Sequence, residues 1–215
     1  MKGKIILINK RCGILNFNRY IYMIFIALSV LLSNKEDARV KQSNQDSLDN
    51  VIRELLKEIN KVPDFSLNSN KGDLYNIRSL EGKVVLLNFW ATWCGPCRME
   101  IPELNEMQKI YGEDNFIILG ISISDTKKAL DDFMKLYEVE YPLLYGNPKE
   151  IEKVLIDYGG IFSVPTSILI NKKGEKIFSY PGAILKSYDI YDGVYTAINS
   201  KIQEALGSSV PKMNE

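Results

Sequence analysis

The chain predicts an α/β protein, a layered sandwich of helices around a four- or five-stranded mixed central sheet, and three observations carry this. The runs "KVVLLNFWA" and "NFIILGISI" are continuously apolar and rich in valine, isoleucine and leucine, as strands buried on both faces are. Segments with helical spacing of apolar residues alternate with them, so the strands are parallel and joined by right-handed crossovers. The closing strand-strand-helix pattern adds an antiparallel edge.

The elements follow in order. Residues 1–33 carry Lys2, Lys4, Lys10, Arg11 and Arg19 and no acid, and end in the apolar run "YIYMIFIALSVLL", residues 20–32. A basic flank before a short apolar run is an export-signal pattern. The run falls short of the roughly 20 residues of a comfortable membrane span. A cleaved signal and a retained membrane anchor both fit it, and a buried core helix is the plainer alternative. Residues 34–61 are read as a polar tether, "NKEDARVKQSNQDS", followed by the amphipathic helix "SLDNVIRELLKEIN". That helix packs on the domain or binds a partner.

The folded domain is placed at residues 62–206. "DFSLNSNKGDLYNI" reads as an N-terminal β-hairpin. After the first buried strand a helix runs from about Pro96 to Tyr111. The second buried strand leads into the helical "TKKALDDFMKLY", the short strand "PLLYG" and the helical "NPKEIEKVLIDYG". "TSILINKKGEKIFSYPG" gives two strands around the turn Asn171–Gly174. One closing helix spans about Ser187 to Leu206, and residues 207–215 form a frayed tail.

Composition excludes several chemistries. Lysine plus arginine and aspartate plus glutamate both number 27, so no global positive field invites nucleic acid. There is no histidine, which removes Ser-His-Asp and Cys-His catalysis and every histidine metal site. Acid-base work falls to carboxylates, lysines, tyrosines or thiols. Without residues 1–33 the chain loses five of its 27 basic residues and no acid, and Cys94 and Cys97 are its remaining cysteines.

Those two lie in "FWATWCGPCRMEIPEL". A structural zinc site needs four ligands, and two cysteines without histidine do not supply them. A disulfide closing so small a loop stabilises little, so a passive crosslink explains the pair poorly. A reactive dithiol explains the neighbours. A buried strand ends at about Ala91, and Pro96 suits the first helical turn because its missing N–H would have had no partner there. Cys94 then faces the unpaired N–H groups and positive dipole end of a helix. Its thiol should ionise below the free value of about 8.5, helped by Arg98. Cys97, three residues on, shares that helical face within bonding reach, deeper and less acidic.

These residues resemble the thioredoxin superfamily, and more closely its exported TlpA/ResA branch of thiol-disulfide oxidoreductases. The likeness is carried by "VPDFSL" at 62–67, "GKVVLLNFWATWCGPCRMEIPEL" at 82–104 and "VPTSILINKKG" at 164–174, over about residues 62–185. It implies a thioredoxin fold with a strand and helix inserted between Asp125 and Val164. It also implies Cys94 as nucleophile, Cys97 as resolving thiol and a cis Val164–Pro165 bond beside them that leaves Val164 free to pair with a substrate strand. Trp93, Gly95, Pro96, Val164, Pro165 and Asp125 would border the partner, with Trp90 in the core.

Glu100 matches a glutamate that helps the thiols exchange protons, and Asp125 a second acid near the site. The plain readings are that Glu100 is a favourable first-turn charge and that Asp125 caps the next helix. Ordinary thioredoxins carry a buried aspartate six residues before the first cysteine. Asn88 stands there and cannot titrate, which favours Glu100 as the base.

The resemblance implies dithiol–disulfide exchange, with a redox-active Cys94–Cys97 disulfide and no metal or organic cofactor. The Gly-Pro dipeptide is that of reducing thioredoxins. Exported protein disulfides would be the substrates, among them haem-attachment cysteines of apocytochrome c, and a membrane electron donor would supply reductant outside the cytoplasm. A thiol peroxidase, with Thr92 and Arg98 around Cys94, and a non-catalytic binding module of the same fold are the alternatives.

Overall fold

The computed structural model describes residues 21–28, 41–56, 61–112 and 115–207, in two units divided between Leu56 and Lys57. In the first, residues 21–28 and 41–56 are helical. The rest of the apolar run, residues 34–40 of the tether, residues 57–60 of the expected amphipathic helix and residues 208–215 of the frayed tail lie outside the described residues. Residues 41–46, expected as tether, are helical instead. Gln42 donates to Asp46 at 2.9 Å and Gln45 to Asp49 at 3.0 Å, and such pairs one turn apart support a helix. Leu48, Val51, Ile52, Leu55 and Leu56 of this helix are exposed. No helix among the described residues is long and apolar enough to cross a membrane.

The second unit holds the strands β1 (Ser66–Ser69), β2 (Leu74–Asn76), β3 (Val84–Trp90), β4 (Phe116–Ser122), β5 (Leu143–Tyr145), β6 (Thr166–Ile170) and β7 (Lys176–Tyr180). Its helices are α1 (Gly95–Tyr111), α2 (Lys127–Met134), α3 (Pro148–Asp157), the single turn α4 (Asp189–Asp192) and α5 (Val194–Leu206). The strand order is β2-β1-β5-β4-β3-β6-β7. β3, β4 and β5 run parallel, and the remaining pairings are antiparallel. The sheet therefore has seven strands rather than the four or five expected. β1 joins it through Asn68↔Tyr145 and Ser69↔Leu144, so the hairpin covers the edge that the short β5 would leave bare.

Every residue of β3 is buried, because both faces are covered. Val84, Leu86 and Trp90 enter one core with Ile101, Leu104 and Met107 of α1 and Ile198 and Ile202 of α5. Val85, Leu87 and Phe89 enter the other with Ile151 and Val154 of α3 and with Phe65 and Leu67 of the hairpin. This is the mixed-sheet, three-layer thioredoxin fold.

Two further expectations are corrected. The helix after Thr126 ends at Met134 rather than near Tyr137, and the Phe133 and Tyr137 rings stack at 4.3 Å. The single closing helix is broken at Gly193, whose φ of 62° is left-handed, so α4 and α5 are separate.

Candidate active site

The site lies where β3 and β4 end, the edge at which parallel sheets present their loops. Cys94 is the N-cap of α1 in extended conformation, with Pro96 in the first turn. Its Sγ accepts the Cys97 N–H at 3.2 Å, so the sulfur faces the helix N-terminus as its position in the chain predicts. Cys94 and Cys97 form a disulfide with Cα atoms 5.3 Å apart. Cys94 is 4% exposed and Cys97 1%, the expected order of depth, with both sulfurs largely covered.

Gly95 is half-buried and Pro96 exposed. Trp93 is 64% exposed and forms a rim, with its Nε1–H donating to Ser124 Oγ at 3.0 Å. Trp90 is buried and meets Phe133 edge-on. The Val164–Pro165 bond is cis. Phe89 pairs with Thr166 across β3 and β6, which brings Pro165 level with the end of β3, where the cysteine loop begins. Val164 packs against the core that contains both cysteines.

Glu100 is fully buried, three residues beyond Cys97 on the same side of α1. Its Oε1 accepts from Asn88 Nδ2 at 2.8 Å and its Oε2 from the Ile184 N–H at 2.8 Å. Burial pushes its pKa up to about 7, against the lowering effect of these two hydrogen bonds. Asn88 also donates to Ser167 Oγ at 3.1 Å. Asn88 thus orients the carboxylate, a role its inability to titrate had hidden. The Ile184 N–H belongs to no motif, and only the tertiary fold brings it here.

Asp125 does not cap α2. Thr126 does, its Oγ1 accepting the Ala129 N–H at 3.2 Å. The Asp125 carboxylate instead accepts the Thr92 N–H at 2.8 Å, the Thr92 hydroxyl at 2.6 Å and the Ser122 hydroxyl at 2.8 Å. The Thr92 hydroxyl is therefore directed at Asp125. Arg98 is exposed on α1. A cleft of about 500 Å³ opens beside these residues, walled by Ile123, Asp125, Ile151, Leu155, Ile161 and the 97% exposed Phe162.

Comparison with known proteins agrees with this geometry. The AhpC/TSA family profile matches residues 59–176. The thiol-disulfide oxidoreductase ResA of Bacillus thuringiensis subsp. konkukian is 35% identical over 126 residues, which are 58% of this chain and 70% of that protein. ResA of Bacillus subtilis strain 168 is 30% identical over 135 residues, 63% of this chain and 73% of that one. A thioredoxin-family thiol:disulfide interchange protein from Chlorobium tepidum TLS has a TM-score of 0.57 at 29% identity, covering 68% of this chain and 96% of its own.

Proposed function

This chain belongs to the AhpC/TSA family and is a thiol-disulfide oxidoreductase of the thioredoxin fold, and we propose that it reduces disulfides of exported proteins through Cys94 and Cys97. The observation that carries this reading is Cys94 at the N-cap of α1, bonded to Cys97, with the buried Glu100 one turn below.

In the reduced protein, the Cys94 thiolate attacks one sulfur of the partner's disulfide. A mixed disulfide forms and the partner's other sulfur leaves as a thiolate, to be protonated by solvent. The Cys97 thiol gives its proton to the Glu100 carboxylate and attacks Cys94 Sγ. The second partner sulfur leaves as a thiolate and takes a proton from solvent, so the partner is a dithiol and two electrons have passed from this protein to it. A carboxyl with a pKa of about 7 suits that transfer, being part ionised at neutral pH.

The apolar cleft and the Trp93 rim would take side chains flanking the partner's cysteine, while Gly95, Pro96, Val164 and Pro165 border its backbone. No cofactor enters these steps. The basic, then apolar N-terminal segment supports a setting outside the cytoplasm, as a cleaved signal or a membrane anchor through residues 20–32. A reductant there needs electrons from a membrane donor, and haem-attachment cysteines of apocytochrome c are substrates of the right chemistry.

The test is reduction of insulin by the dithiol form, together with the potential of the Cys94–Cys97 couple. The proposal expects reduction to be lost in Cys94→Ser and a potential near thioredoxin's roughly −270 mV. A potential near about −120 mV, or peroxide consumption that outruns insulin reduction, would contradict it.

A further inference from the structure

A second polar cluster beside the disulfide acts on the loop before Cys94. The Ile123 N–H donates to the Trp90 carbonyl at 3.0 Å. Asp125 receives the Thr92 N–H and hydroxyl at 2.8 and 2.6 Å, and Ser124 receives the Trp93 indole at 3.0 Å. Ser122 braces the acid, its hydroxyl donating to Asp125 Oδ2 at 2.8 Å and accepting the Asp125 N–H at 2.9 Å. One four-residue segment at the end of β4 thus grips Trp90, Thr92 and Trp93, and the Cys94 N–H closes the turn onto the Ala91 carbonyl at 3.1 Å.

We propose that Asp125 is a positioning residue of the redox site, which through Thr92 holds this loop so that Cys94 Sγ stays against the N-terminal N–H groups of α1. The inference rests on Cys94 being the nucleophile. Three donors converge on the two oxygens of Asp125, two of them from Thr92, so its carboxylate is directed at the loop before Cys94. The Cys97 N–H to Cys94 Sγ contact, seen with the disulfide formed, would favour the thiolate once the bond is reduced, and being directional it depends on the backbone upstream of Cys94.

Positioning and direct charge act with opposite signs. If Asp125 acted on Cys94 through space, removing its negative charge would make the thiol more acidic. If it acts by holding Thr92, removing it makes the thiol less acidic, and cutting the Thr92 hydroxyl does the same. The other ionisable groups at the N-terminal end of α1 are Cys97, Arg98 and Glu100, with Glu103, Glu106, Lys109 and Tyr111 further along the helix. Residues 163–166 and 183–185 bring none.

The experiment measures iodoacetamide alkylation of Cys94 against pH in the full chain with Cys12→Ser and Cys97→Ser. Asp125→Ala and Thr92→Val should each move the half-point upward toward the free value of about 8.5, slowing alkylation at pH 7 by about three- to tenfold. Thr92→Ser keeps the hydroxyl and should restore the parent profile. Adding Thr92→Val to Asp125→Ala should change little more, because both cut the same link. A half-point that falls in Asp125→Ala, or one that Thr92→Val leaves in place, overturns the proposal. Should Asp125→Ala not fold, the Thr92→Val and Thr92→Ser pair decides alone. A parent half-point already at the free value would instead defeat the nucleophile reading of Cys94.

Discussion

Glu100 is held without exposed surface by two donors, Asn88 Nδ2 and the Ile184 N–H, and burial outweighs both, raising its pKa to about 7. The native chain therefore keeps a proton that the unfolded chain releases in the ordinary carboxylate range. The stability this gives is complete below that range and is lost as pH rises through about 7. Its size is on the order of 3 kcal/mol, since each tenfold gain in proton affinity on folding is worth about 1.36 kcal/mol. Urea midpoints of the parent should fall between about pH 5 and pH 8, and those of Glu100→Gln should not. An identical fall in both proteins would contradict the assignment. Asp132, pulled down to about 2 by Lys128 and Lys135, titrates well below this window and does not confuse it. At this scale the spacing of Glu100 from Cys97 was legible because a helix repeats predictably. Its partners were not, since Asn88 lies 12 residues and Ile184 lies 84 residues away in the chain.

Among elements, β3 and β4 were the most legible, because burial on both faces leaves an unbroken apolar run. The hairpin's place at the sheet edge was not, since it depends on non-local pairing with a strand of three residues. The break at Gly193 was hidden for a related reason, as a glycine within a helical pattern does not reveal its φ. Gly120 shows how tightly the two central strands are fitted. It pairs with Asn88, and a Cβ there would lie 2.8 Å from Leu143 Cδ2 and 3.1 Å from Trp90 Nε1. Gly120→Ala should therefore force Leu143 or Trp90 aside and destabilise the domain by about 1–3 kcal/mol in urea unfolding. A variant as stable as the parent would show that this packing yields without cost. Trp90 ends the strand that delivers the cysteine loop, so the same pressure bears on the site's foundation.

Across the whole molecule, the features that give the protein its chemistry come from well-separated parts of the chain. The cysteines follow β3, the acid that holds Thr92 follows β4, and the cis-proline segment precedes β6. The short-range pieces, "WCGPC" above all, were readable in the sequence because their chemistry is local. The clamp from Ser122 to Asp125 needed the fold, since Asp125 and Thr92 meet across 33 residues. The proposed mechanism turns on an asymmetry between the two sulfurs, in which Cys94 would make the first bond to a partner and Cys97 would break it. The most direct measurement is trapping. Reduced Cys97→Ser and Cys94→Ser variants of the full chain, each also carrying Cys12→Ser, are mixed with a disulfide-bonded protein, quenched in acid and weighed by mass spectrometry. Cys97→Ser should accumulate a mixed disulfide through Cys94, and Cys94→Ser should accumulate none. Equal trapping by the two variants, or trapping through Cys97 alone, would contradict the assignment of roles.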